Sequence, residues 1–232
     1  MSVVGLAVCL LGLTTGSARA ADAPTRVRAT QQLVELLGGH AAHRAPVAGS
    51  RQVAFVRSRR PITGEQTTLP VIGHSRAPNA TAWLEVMLPG RPDGATGWIT
   101  KARTHELVTG WRILVDLDAR RVTVYRKGRR VRTFQAVVGK VSTPTPTGQF
   151  FVEETVQIEP GEADGPFALA LSARSNVLQE FEGGPGQIGI HGREGLGGTL
   201  GRAESHGCIR LATASIEWLA ARIGPGTPVK IY

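Results

Sequence analysis

The sequence predicts a mainly β protein in two units that ends with a single helix, on three observations. Gly (29) and Pro (14) punctuate the 232 residues too often for helical bundles or coiled coils. Apolar residues alternate with polar ones in short runs bounded by turn residues, from about residue 52 onwards. Helical periodicity appears once, where Ile216, Leu219, Ala220 and Ile223 recur at i, i+3, i+4 and i+7. The 41% hydrophobic content is enough to bury a sizeable core.

In chain order, residues 3–13 (VVGLAVCLLGL) form an apolar stretch of signal-peptide length. Ser17-Ala18-Arg19-Ala20 follows as a small-residue cleavage signal, so residues 1–20 read as a signal peptide and the mature chain starts near Ala21. The stretch is too short and Gly-rich to span a membrane. Residues 21–50 read as a linker, with one or two helical turns around Leu33, Val34, Leu36 and Leu37 that stop at Gly38 and Gly39. His40 and His43 are expected to be solvent-exposed linker residues.

Residues 51–104 change to short alternating segments: 53–56, 67–72, 82–88, and Gly97-Trp98-Ile99. Such spacing suggests a small barrel or sandwich. The last segments, Trp-Leu-x-Val and then Gly-Trp-Ile, resemble a bacterial SH3-like module. Two readings stand side by side: contact with a wall polymer, or a spacer whose Trp83 and Trp98 are core.

A second unit is expected over residues 110–232. Residues 113–118 alternate, Ala119 and Arg120 turn, and 122–126 alternate back. Lys127 and Gly128 turn again into 131–139, which completes a three-stranded meander. Thr143-Pro144-Thr145-Pro146-Thr147-Gly148 reads as rigid loop, and 149–152 and 188–191 as further strands. The helix takes a cap from Thr213 or Ser215, stops at Gly224 and Pro225, and is followed by a closing strand over 228–232.

The formal charge of +9 calls for a polyanionic neighbour. The basic residues are scattered, with no basic helix stripe and no interleaved aromatics, which argues against nucleic acid.

Cysteine use then narrows the chemistry. Cys9 leaves with the signal, so Cys208 remains alone and no internal disulfide is possible. A thiol reacts as the thiolate and needs a base or cation beside it. His191, His206 and Arg210 supply both in one region, Glu204-Ser205-His206-Gly207-Cys208-Ile209-Arg210, with Ile190-His191-Gly192 upstream. If 206–210 is extended, His206, Cys208 and Arg210 project to one side. Gly207 leaves room for a backbone N–H to face an oxyanion.

Rival readings are a buried inert thiol and a zinc site of His191, His206 and Cys208. The first does not call for His, Gly and Arg around it, and the second lacks metal-ligand spacing. Papain-like hydrolases place their histidine after the cysteine, and none follows Cys208 here. Sortases expect a Thr-Leu-x-Thr-Cys strand, which is absent.

Ser-His-Gly-Cys-Ile-Arg, with a histidine 15 positions before His206, resembles the YkuD-type L,D-transpeptidase catalytic domain. Val138-Gly139-Lys140 ahead of Thr-Pro-Thr-Pro-Thr-Gly-x-Phe, Ile-x-Ile-His-Gly, and a terminal Gly-x-Pro-Val-x-Ile agree, so the resemblance covers about 110–232. It implies a mixed β-sandwich after the SH3-like barrel, and an exported enzyme acting on peptidoglycan stem peptides in the periplasm or cell wall. It implies Cys208 as nucleophile, His191 as general base and acid, His206 ordering the loop, and Gly207 at the oxyanion hole. Arg210, Ser205 and Gly192 would meet substrate, with Arg210 on a carboxylate. The reaction needs no cofactor or metal, and a monomer is expected. An L,D-carboxypeptidase, or a catalytically silent wall-binding module, is the alternative.

Overall fold

The computed structural model describes residues 27–76, 81–180 and 183–232. The expected signal peptide lies outside the described residues. Two large sheets, each with its own core, hold all but two of the described strands.

The first unit has seven strands: β1 (Gln31–Leu36), β2 (His40–His43), β3 (Gln52–Val56), β4 (Thr68–Arg76), β5 (Ala82–Met87), β6 (Thr96–Thr100) and β7 (Thr104–Thr109). They run in the order β3-β2-β6-β5-β4-β1-β7. This corrects the linker expected over 21–50, since residues 31–36 and 40–43 are strands. The run with Leu33, Val34 and Leu36 fits either period, and pairing decides between them. β1 hydrogen-bonds to β4 on one side and β7 on the other, and Val34 and Leu36 turn into the core fully buried. His40, expected in solvent, is also buried. Its ring is stapled between Gly38 O at 2.7 Å and Ala102 O at 2.8 Å. The sheet extends to Thr109, past the boundary expected at residue 104. Trp83 is core, whereas Trp98 is only partly buried.

The second unit opens with the predicted meander: β8 (Trp111–Asp116), β9 (Arg121–Arg126) and β10 (Arg129–Gln135). Lys127 and Gly128 both take positive φ, 49° and 78°, the geometry of the tight turn that matches strand twist. β11 (Val138–Gly139) pairs in parallel with β15 (Ala203–Ser205). β12 (Gly148–Gln157), β13 (Phe167–Arg174), β14 (Gln187–His191), β16 (Ile209–Arg210) and β17 (Pro228–Ile231) complete an eight-stranded mixed sheet, β10-β9-β8-β17-β12-β13-β14-β16. The closing strand β17 inserts between β8 and β12, parallel to the first and antiparallel to the second.

Helix α1 (Thr213–Ala220) buries Ile216 and Leu219 against the core, and Ile223 follows them just past its end. Its N-cap is Ala212 with no side-chain cap, so neither Thr213 nor Ser215 serves as expected. Trp218 closes the helix against Trp111 and Phe134, with ring centroids 6.1 and 5.8 Å away.

β12 joins the two cores through strand alternation. Phe150 and Val152 point into the second core, whereas Phe151 points into the first. A register shift between Val152 and Glu154 then buries both Glu153 and Glu154. Arg60 of the first unit and Arg174 of the second ion-pair with Glu153, and Thr63 donates twice to Glu154 at 3.0 Å. Burial pushes the Arg174 guanidinium down to about 10.

Candidate active site

Cys208 sits just ahead of β16, which lies parallel to β14 at the sheet edge. Its Sγ accepts from the Gly189 N–H at 3.4 Å and lies 3.9 Å from Gln187 O. Sulfur therefore rests along β14, beside an amide donor that favours negative charge. A cleft of about 210 Å³ opens over it, and His191, His206, Cys208 and Arg210 all line it. His206, Cys208 and Arg210 thus share one cleft with His191, although 206 and 207 form a bend and only 209–210 are strand, not the extended run expected over 206–210. A second cleft of about 450 Å³ runs between the units along Arg112 and Lys230. The described residues lining it include no Cys or His, whereas the smaller cleft holds both.

His191 is buried at the end of β14. Its Nδ1 donates to Gly192 O at 2.6 Å, which leaves Nε2 as the basic nitrogen. Asp164 Oδ1 stands 3.4 Å from the same Nδ1. Sequence reasoning missed Asp164 altogether. It lies in the loop between β12 and β13, held at φ 76° with its N–H on Glu194 O at 3.2 Å.

The loop carrying Cys208 is ordered by short polar side chains. Ser205 Oγ donates to Cys208 O at 2.6 Å and accepts from the Gly207 N–H at 3.2 Å. Thr145 Oγ1 donates to Gly207 O at 2.7 Å, and Thr143 Oγ1 to Ser205 O at 3.2 Å. The Thr-Pro-Thr-Pro-Thr segment is thus the cradle of the Cys208 loop.

These contacts show what three of the expected site residues are engaged in within the fold. Ser205 is fully buried with its hydroxyl engaged inside the loop. Gly192 contributes its carbonyl to His191, and a Cβ there would strike Gly165 O. The Gly207 N–H is committed to Ser205, and its own requirement is a φ of 123° that side chains rarely adopt. The His206 ring is exposed, with Lys140 Nζ 3.4 Å from Nε2, while the loop bonds above come from Ser205, Thr143 and Thr145.

Arg210 holds the glycine-rich run 192–201 through Gly197 O at 2.9 Å, and its backbone exchanges two 2.9 Å bonds with Val137. Its Nη1 is thereby tied to the rim of the cleft. Among the described residues, no group of three or more His, Cys, Asp or Glu is placed to hold a metal ion.

Residues 110–231 match the family model for the YkuD L,D-transpeptidase catalytic domain, which is more than half of the chain. The chain belongs to the YkuD-type L,D-transpeptidase family. This chain is 30% identical over 151 residues to the YkuD protein of Bacillus subtilis, covering 65% of this chain and 76% of that one. It is 28% identical over 129 residues to L,D-transpeptidase 1 of Mycobacterium tuberculosis, covering 51% of this chain and 49% of that protein. The solved Enterococcus faecium L,D-transpeptidase is similar at 21% identity and a TM-score of 0.41, covering 54% of this chain and 55% of that one. The chain therefore spans about half the length of these last two. No helix among the described residues is long and apolar enough to cross a membrane.

Proposed function

We propose that this chain is an exported peptidoglycan L,D-transpeptidase that works through a thioester on Cys208. The observation that carries the reading is the shared cleft: Cys208 and a buried His191 line it together, and His191 Nδ1 is fixed on Gly192 O, which leaves Nε2 as base. The donor is a stem tetrapeptide. Sγ attacks the carbonyl carbon of its third residue, the S–C bond forms, and the C–N bond to terminal D-Ala breaks. The thiol proton passes to His191 Nε2 and then to the departing amine. The side-chain amine of a second stem attacks the thioester, C–N forms as C–S breaks, and its proton returns through His191 to the thiolate. The product is a 3→3 cross-link.

The Cys208 N–H takes the oxyanion in this reading, since the Gly207 N–H is held by Ser205. Arg210 anchors a donor carboxylate at the cleft rim, where a guanidinium fork suits a planar oxyanion. Asp164 steadies the imidazolium from the Nδ1 side. The first unit is an SH3-like module that touches the wall polymer, and the protein works as a monomer, which light scattering checks. Export predicts that protein recovered outside the cytoplasm begins near Ala21, read by N-terminal mass.

The deciding experiment incubates purified protein with a diaminopimelate-containing disaccharide tetrapeptide and follows products by mass. A dimer short of one D-Ala, absent in Cys208→Ala, supports cross-linking. Tripeptide alone redirects the thioester to water and makes the chain an L,D-carboxypeptidase. A Cys208 thiol that no alkylating reagent modifies overturns the enzyme reading in favour of a wall-binding module.

A further inference from the structure

The first unit reaches the Cys208 cleft through one arginine. Arg91 lies in the loop between β5 and β6, and its guanidinium crosses to the connection between β13 and β14. Nη2 donates to Ser175 O at 2.7 Å and, at 3.4 Å, to Leu178 O. Nε donates to Gln179 Oε1 at 3.0 Å, and Nη1 to Pro185 O at 3.4 Å. Four acceptors of this one connection thus converge on one planar fork.

Two residues on, Asp93 Oδ1 accepts from the Arg174 N–H at 2.9 Å, where β13 ends and this connection begins. Arg174 itself is buried, bonded to Leu171 O, Ala173 O and Glu153. The same connection contributes to the lining of the Cys208 cleft: Ser175, Leu178 and Gly186 line it together with Arg210 and Leu196. Ser175 closes the stretch on itself, its N–H on Gly186 O at 2.8 Å and its Oγ accepting from Leu178 N–H at 2.9 Å.

We propose that Arg91 is a positioning residue for the Cys208 site, by which the first unit holds the cleft wall formed by Ser175, Leu178 and Gly186. The first unit then shapes donor binding directly, in addition to any contact with the wall polymer. A lysine cannot replace Arg91, because one ammonium does not present donors to acceptors spread over Ser175, Gln179 and Pro185. The kinetic part of this proposal rests on the transpeptidase reading; the structural part does not.

The test compares the full-length protein with Arg91→Ala and Arg91→Lys, by amide hydrogen exchange and by tetrapeptide kinetics. Amides of residues 175–179 should exchange about tenfold faster in both variants while β8 and β12 keep wild-type protection, a loss of the size of one charge-assisted hydrogen bond. KM for the tetrapeptide should rise about tenfold with kcat changed less than about threefold, and Lys should not rescue it. Unchanged exchange at 175–179, an unchanged KM, or full rescue by Lys overturns the proposal. Wild-type protein without turnover overturns the transpeptidase reading instead, and exchange alone then decides whether Arg91 holds the wall.

Discussion

Ser205 Oγ donates to the carbonyl of Cys208 at 2.6 Å while accepting from the Gly207 N–H at 3.2 Å, so one buried hydroxyl fixes both peptide units that flank the Gly207–Cys208 bond. Cys208, the proposed nucleophile, is thereby aimed by a side chain three residues before it. Position, more than the acidity of a neighbour, is what the serine supplies.

Ser205→Ala should therefore damage stability and rate together. Two buried backbone groups lose their partner, at about 1–3 kcal/mol for each group left unsatisfied. Denaturant unfolding should show a lower midpoint with an unchanged slope, and thioester formation on Cys208 should slow. Wild-type stability in this variant would mean that water or another group takes over both bonds.

Gly207→Ala tests the same loop through the backbone. At φ 123° a side chain is strained by about 1–3 kcal/mol, and a Cβ would stand 3.1 Å from Ile188 Cδ1. Unfolding should shift accordingly, and alkylation of Cys208 by iodoacetamide should change rate because Sγ moves along β14. An alkylation rate equal to wild type would show that the loop absorbs the methyl group without displacing sulfur.

His191 and Asp164 should separate by size of effect. His191→Ala removes the base and should lower turnover about 10²–10⁴-fold. Asp164→Asn keeps a polar group 3.4 Å from Nδ1 but removes its charge, and Asp164 is partly exposed, so roughly a tenfold loss is expected. Steady-state rates at saturating tetrapeptide measure both. Equal losses would promote Asp164 to an essential member of the site, and no loss would leave Gly192 O as the sole orienting partner in the mechanism.

How far these features were legible follows from where their information lies. The β8–β10 meander is written locally, in alternation and in Lys127 and Gly128. The cluster from Ser205 to Arg210 is also local, because the chemistry of a thiol asks for just such neighbours. β1 was misread because adjacent apolar pairs, Leu33-Val34 and Leu36-Leu37, satisfy both periods until β4 and β7 pair with them. β13 was missed for the opposite reason: it lies between β12 and β14 with residues 169–174 all buried, so no polar face marks its period. Asp164 and Arg91 reach the site from remote loops, and nothing near either residue in sequence announces its partner. The hydrogen bonds that engage Ser205 and Gly192 within the fold also lie outside what spacing along the chain can show.

Asp93 supplies a prediction in which pH fixes the sign. Burial raises its carboxyl above the ordinary carboxylate range, against the lowering effects of the Arg174 N–H bond and the Arg174 and Arg91 charges. Oδ2 is buried without a hydrogen-bond partner, which agrees with a charge held at some cost. A folded-state pKa above the unfolded one means that the native protein binds more protons across that interval. Stability from this group is then full below the unfolded pKa and falls as pH rises through the folded one. Asp93→Asn keeps an acceptor for the Arg174 N–H and removes the charge, so at pH 7 it should unfold at the wild-type midpoint or slightly above it. At a pH below both values of the Asp93 pKa that advantage should vanish. Asp93→Ala, which loses the acceptor, should be less stable than wild type at both pH values by about 1 kcal/mol. Denaturant midpoints for the three proteins at the two pH values settle it. An Asn variant clearly weaker than wild type at pH 7 would mean that the Arg174 and Arg91 charges outweigh burial at this carboxylate.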